Sequence, residues 1–161
     1  MDTHTSLMIF QAVHALGFSL WLSIALINNL HTFAGSAGAV GATMAMVPLR
    51  QAPPIETPML ARALTSPALH RLALALIVAL QGIAVLAAWT GCYFLLLGAG
   101  PEAARPWLNL ASSAALAFLF AMLLGGLWFG YWIRQEGLQL THLVLVVWVL
   151  LGFVILNVRW M

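Results

Sequence analysis

Histidine is the residue type in this chain best suited to chemistry, and three of the five histidines stand at the ends of apolar stretches. His31 closes the first stretch, His70 opens the second and His142 opens the fourth. If those stretches are antiparallel spans, the three imidazoles lie toward one membrane face. Neutral imidazole is a usual ligand for haem iron, zinc or copper. Met44 and Met46 lie in the same region, and thioethers suit copper(I). The set is therefore a candidate haem b or copper site. The competing reading is plain: imidazoles at helix ends meet water and headgroups, and no two of these three have close ligand spacing.

His14 is set deeper, about two turns inside the first stretch, with Gln11 one turn before it. Polar groups within a span face the bundle and bond across helices. Gln81, near the middle of the second stretch, is the other deep polar residue, and a hydrogen bond from it to the first span would fix helix pairing. The functional alternative for His14 is a polar spot for a quinone or a lipid headgroup. Asn28 and Asn29 near the end of the first stretch can cap that helix or bond across to the second. The sequence has no phosphate loop, no Ser/His/Asp set and no carboxylate pair, and all four acids lie outside the apolar stretches. A proton or cation pump normally places an ionisable acid within the membrane. Catalysis and autonomous ion coupling are both disfavoured.

The elements that must position these groups are four long apolar runs, about 6–30, 70–97, 108–133 and 140–158. Hydrophobic residues make up 63% of the 161 residues, and charged residues only 6%. A soluble domain would carry roughly a quarter charged residues, and a helix needs about 20 apolar residues to cross a bilayer core. The expected fold is all-α, a single membrane domain built as a four-transmembrane-helix bundle. Residues 31–69 form the one long connection and are expected to be a loop, with the tandem prolines Pro53 and Pro54 excluding a regular helix there. Residues 57–68 could form a short interfacial helix, with Leu60, Ala61 and Leu64 on one side. The later connections, LGAGPEAARP and RQEGLQ, read as short turns.

Ser113, Ala117, Ala121 and Gly125 recur every four residues along the third span, and Gly126 and Gly130 form a GxxxG beside them. Small residues at that spacing let another helix backbone come close. The neighbour could be another span or a helix of another protein. Trp128, Tyr131, Trp132 and Trp160 sit near span ends, as interfacial aromatics do. Trp21, Trp89 and Trp148 lie within the spans and read as packing or lipid-facing anchors. The single Cys92 reads as a small buried hydrophobe.

Six Arg, no Lys and four acids give a net charge of +2, with no basic cluster that would mark nucleic-acid binding. Four spans place both termini on one side. Arg50, Arg62, Arg71 and Arg134 fall on the other side, against Arg105 and Arg159 on the terminus side. Taken alone, that count puts the termini outside.

The segment TSPALHRLALALIVALQGIAVLAAW resembles a bacterial family of predicted small integral membrane proteins, domain of unknown function 2165. INNL at the end of the first span, the Met-Ala-Met at 44–46 and GGLWFGYWIRQEG are similar to the family's pattern. The resemblance covers most of the chain and implies four helices, but no catalytic residue. It also implies a basic turn between spans two and three, hence cytoplasmic termini in the bacterial inner membrane. Here that turn keeps only Arg105. Gln81 stands where the family often has an acid.

Together these observations favour a non-catalytic accessory or assembly subunit of a larger membrane complex, respiratory or photosynthetic, with membrane lipids and other transmembrane subunits as partners. A homo-oligomer is compatible with the same surface. The alternatives are a haem- or copper-binding subunit using the three-histidine face, and a small transporter or channel.

Overall fold

The protein is described here by a computed structural model that covers residues 2–157. Helix α1 runs Thr3–His31, α2 Phe33–Met44, α3 Val47–Arg50, α4 Pro67–Leu96, α5 Pro101–Trp128 and α6 Glu136–Asn157; 3-10 turns occupy Pro58–Arg62 (η1) and Tyr131–Ile133 (η2). Arg159, Trp160 and the last residue assigned to the fourth span, Val158, lie outside the described residues. Asp2 starts α1 as a cap, its carboxylate accepting from the Thr5 amide at 2.7 Å. Pro67 and Pro101 occupy first-turn positions, where a missing N–H costs nothing.

Four helices are long and apolar enough to cross a membrane: 5–31, 67–96, 101–128 and 136–157. At 1.5 Å per residue the shortest is about 33 Å, enough for a hydrocarbon core of about 30 Å. Among the described residues there is no strand.

The helices pack in the order α1, α4, α5, α6, with α4 and α5 the closest pair and α1 meeting α6 only sparsely. Small residues explain the closeness. Ala84, Ala87, Ala88 and Gly91 of α4 are buried, as are Ala104, Ala111, Ala114 and Ala115 of α5. A Cβ on Gly91 would lie 2.6 Å from Leu108, so only glycine admits that side chain. With lipid outside, no hydrophobic effect drives helices together, and backbone proximity with dispersion contact takes its place.

The connection at 31–69, expected to be one long loop, is largely helical before its tandem prolines. Thr32 alone separates α1 from α2, and the Gly/Ala-rich GSAGAVGA lies inside α2. Its small residues are what allow it to lie on α4: Ala37 and Gly41 are buried, and Gly41 sits directly under the His70 ring. Met46, in the left-handed region at φ 54°, ends this arm. The helix expected over 57–68 is only the turn η1, and Ala61 and Leu64 are exposed. Conversely, PEAARP is the first turns of α5, not part of a loop, and the third span ends at Trp128 rather than Ile133.

Polar contacts fix the register of α1 against α4. Ser19 meets Cys92 at 3.2 Å, the Trp89 indole donates to Ser23 at 3.0 Å, and the Asn29 amide donates to Gln81 at 3.0 Å. The Ser19 hydroxyl proton is already given to the Ala15 carbonyl at 2.8 Å, which leaves the Cys92 thiol as donor. Positions rise on α1 as they fall on α4, and Gly41 against His70 continues the series on α2. The two helices therefore form one broken arm, antiparallel to α4. Replacing Gln81 by Leu strands the Asn29 amide and is expected to cost about 0.5–2 kcal/mol. Thermal unfolding in mild detergent checks this, and Asn29→Leu added to Gln81→Leu should restore most of the loss.

Candidate functional site

The end of the bundle where α5 turns into α6 holds the most unusual polar arrangement. Tyr131 and His142 are stacked with ring centroids 5.9 Å apart, and both are buried. The Tyr131 hydroxyl and His142 Nδ1 are buried polar atoms without a hydrogen-bond partner. Such atoms normally find partners, because leaving one unpaired costs about 1–3 kcal/mol.

Two glycines build this arrangement. Gly130 takes φ +67°, turning the chain back sharply after Trp128. Gly126 has no room for a side chain, because a Cβ there would lie 2.5 Å from the Tyr131 ring. The GxxxG at 126–130 is thus a seat for Tyr131, not a groove for another helix. Leu49 and Met59 approach Gly130 from the connecting arm, Arg134 donates to the Pro53 carbonyl, and Thr43 donates to Gln135 at 3.2 Å. A narrow crevice lined by Thr43, Met46, Leu49, Tyr131, Arg134 and Gln135 lies alongside.

The three histidines of the metal reading go to three different places. His31 is exposed at the end of α1. His70 donates from Nε2 to the Leu64 carbonyl at 2.8 Å and lies on Gly41. His142 is stacked on Tyr131. Among the described residues, no three His, Cys, Asp or Glu side chains gather closely enough to hold a metal. His31, His70 and His142 therefore do not converge as one three-histidine set. Spacing along the chain could not reveal this. The histidines share an end of the bundle but not a direction.

The deep polar residues also separate. Gln11 is buried and donates to the Ile155 carbonyl of α6 at 3.0 Å. Arg105 donates to the neighbouring Leu156 carbonyl at 3.1 Å, while its other arm pairs with Glu102 at 2.7 Å. Asn109 and Asn157 exchange reciprocal amide bonds at 2.9 and 2.7 Å. These contacts tie α1 and α5 to the last turn of α6. Sequence reasoning missed Asn109, Asn157 and Arg105, and their only signal was polarity near a span end. Asn28 is exposed, while its neighbour Asn29 bonds to Gln81. His14 lies on Gly152 and next to the rings of Phe18 and Trp148.

Ser113, Ala117 and Ala121 face away from the bundle, and Gly125 beside them has open space where a Cβ would stand. They are two residues out of step with the buried Ala111, Ala115 and Leu119, which at 100° per residue puts them on the opposite side of the helix.

Four spans, an apolar exterior and an apolar core with a few paired polar groups agree with what the comparison with known families finds. A family described as predicted small integral membrane protein (DUF2165) matches residues 7–159. This chain belongs to the DUF2165 family. No curated protein and no solved structure matches it. The DUF2165 assignment supplies the membrane class and leaves the site residues to be read from the geometry.

Two measurements test the Tyr131 seat of this DUF2165 protein. Gly126→Ala forces the ring aside and is expected to cost about 1–3 kcal/mol, whereas Gly125→Ala should change stability by less than about 0.5 kcal/mol; thermal unfolding distinguishes them. Burial also pushes the Tyr131 phenol above its ordinary value. The folded protein then holds that proton more tightly than the unfolded chain, so stability should fall as pH rises above the usual tyrosine pKa of about 10. Tyr131→Phe removes an unpartnered hydroxyl; it should be neutral or stabilising at pH 7 and should flatten the alkaline loss in a pH series of unfolding curves.

Proposed function

We propose that this DUF2165 protein is a non-catalytic accessory or assembly subunit that docks a transmembrane helix of a larger complex through the outer face of α5. The observation that carries this reading is the outward row Ser113, Ala117, Ala121 and Gly125. Small residues at four-residue spacing in a span are a backbone-approach surface. Among the described residues nothing covers it. The Ser113 hydroxyl makes no hydrogen bond to any described residue, although it lies near the middle of a 28-residue span. A helix crossing there would cover the row and offer that hydroxyl a partner. Respiratory and photosynthetic electron-transfer assemblies are the complexes to test first, with the termini in the cytoplasm as the family pattern implies.

The test is gentle purification of the tagged protein from its native membrane, with mass spectrometry of what remains bound. Stoichiometric co-purification of larger membrane subunits is the expected result. Ala117→Leu and Ala121→Leu should abolish it while leaving the thermal stability of the isolated chain unchanged, since neither side chain is buried within its own bundle. A chain that always elutes alone would refute the proposal.

A further inference from the structure

The seam between α1 and α6 is built unlike the rest of the bundle. Elsewhere small residues face each other; here Gly152 of α6 receives the His14 ring, and the rest of the seam is filled by large rings. His14, Phe18 and Trp21 of α1 meet Trp148 of α6, with Phe118 of α5 behind Trp21. Trp148 stands edge-on to Trp21, with centroids 5.2 Å apart at 88°. His14, Trp21 and Trp148 are each only half-buried.

The ring nitrogens at this seam are the informative atoms. Among the described residues, neither the His14 imidazole nor the Trp21 and Trp148 indoles make a hydrogen bond. None of these nitrogens is among the fully buried unpaired atoms, so each retains accessible surface. Trp21 and Trp148 lie near the middle of their spans, and His14 is two turns before Trp21. At that depth there is neither water nor a lipid ester to accept from them, and an unpaired polar group in hydrocarbon is costly. Two nearby polar groups are engaged elsewhere: the Gln11 amide nitrogen donates to the Ile155 carbonyl and the Ser23 hydroxyl receives Trp89. An occupant must therefore reach mid-membrane depth, be apolar enough to reside there, and present acceptors to the edges of aromatic rings. Carbonyl oxygens on a flat, lipid-soluble ring have that combination.

We propose that the α1–α6 seam around His14, Trp21 and Trp148 binds a lipid-soluble ring compound bearing carbonyl oxygens, of the quinone class. The indole N–H groups and the imidazole donate to the carbonyl oxygens, and the ring lies against the aromatic cluster. This site is separate from the outer α5 face and stands whether or not that face docks a partner.

The experiment titrates a short-chain benzoquinone, such as the decyl derivative, into the purified protein in phosphatidylcholine nanodiscs. Binding is read by calorimetry and by quenching of tryptophan emission. The expected result is saturable binding of one quinone per chain, above the partitioning of empty nanodiscs. Trp148→Phe and His14→Leu should each weaken it about tenfold, the equivalent of one lost hydrogen bond, and His14→Gln, which keeps a donor, should recover part of the loss. Trp21→Phe serves as the second donor deletion if His14→Leu fails to fold. Ser113→Leu, on the docking face, should leave the affinity unchanged. Linear, unsaturable uptake matching empty nanodiscs would overturn the proposal, and so would equal affinity in wild type and all donor-deletion variants.

Discussion

The bundle depends on the contact between α4 and α5, and that contact depends on alanine and glycine. In lipid, two apolar surfaces gain little by leaving their solvent, which is as apolar as they are. What remains is the dispersion energy of close approach, together with hydrogen bonds that water cannot replace. Ala84, Ala88 and Gly91 on one helix and Ala111 and Ala115 on the other bring the backbones near enough for that term to count. The remaining helices are arranged around this pair, α1 on the α4 side and α6 on the α5 side.

Hydrogen bonds then supply what small residues cannot, namely register. A smooth alanine interface tolerates sliding, but Asn29 on Gln81 and Trp89 on Ser23 do not, because each shift would leave an amide or indole unpaired in hydrocarbon. At the far end of α6, Gln11, Arg105 and Asn109 tie three helices together through carbonyls and amides of one turn. Polar residues in this protein are therefore mostly structural, and the exceptions stand out: the Tyr131–His142 stack, the ring nitrogens of the α1–α6 seam and the outward Ser113.

Those exceptions divide the molecule by use. The α4 side is a closed, registered interface. The outer side of α5 carries the row of small residues, Ser113, Ala117 and Ala121. The α1–α6 seam is lined by aromatic rings. The connecting arm, with α2 lying along α4, completes one end over Tyr131 and Gly130.

The membrane class and the four spans were legible in the chain because a run of apolar residues long enough to cross a bilayer needs no partner, and the family was legible in its motifs. The sequence also singled out Gln81 and the four-residue row on the third span. Which way these residues point depends on how the helices pack. A two-residue offset separates Ser113 from the buried Ala111–Ala115 face, and periodicity is the same for both. The glycines at 126 and 130 matched a helix-packing motif, but a left-handed turn and the Tyr131 ring gave them another use. The connection read as a loop on its length and its tandem prolines, and residues 51–57 around Pro53 and Pro54 are indeed non-helical; the Gly/Ala-rich part before them, packed on α4, is a helix. The three histidines share one end of the bundle in sequence terms, yet direction around a helix axis is set by which neighbour each face finds, and that is a property of the assembled bundle alone.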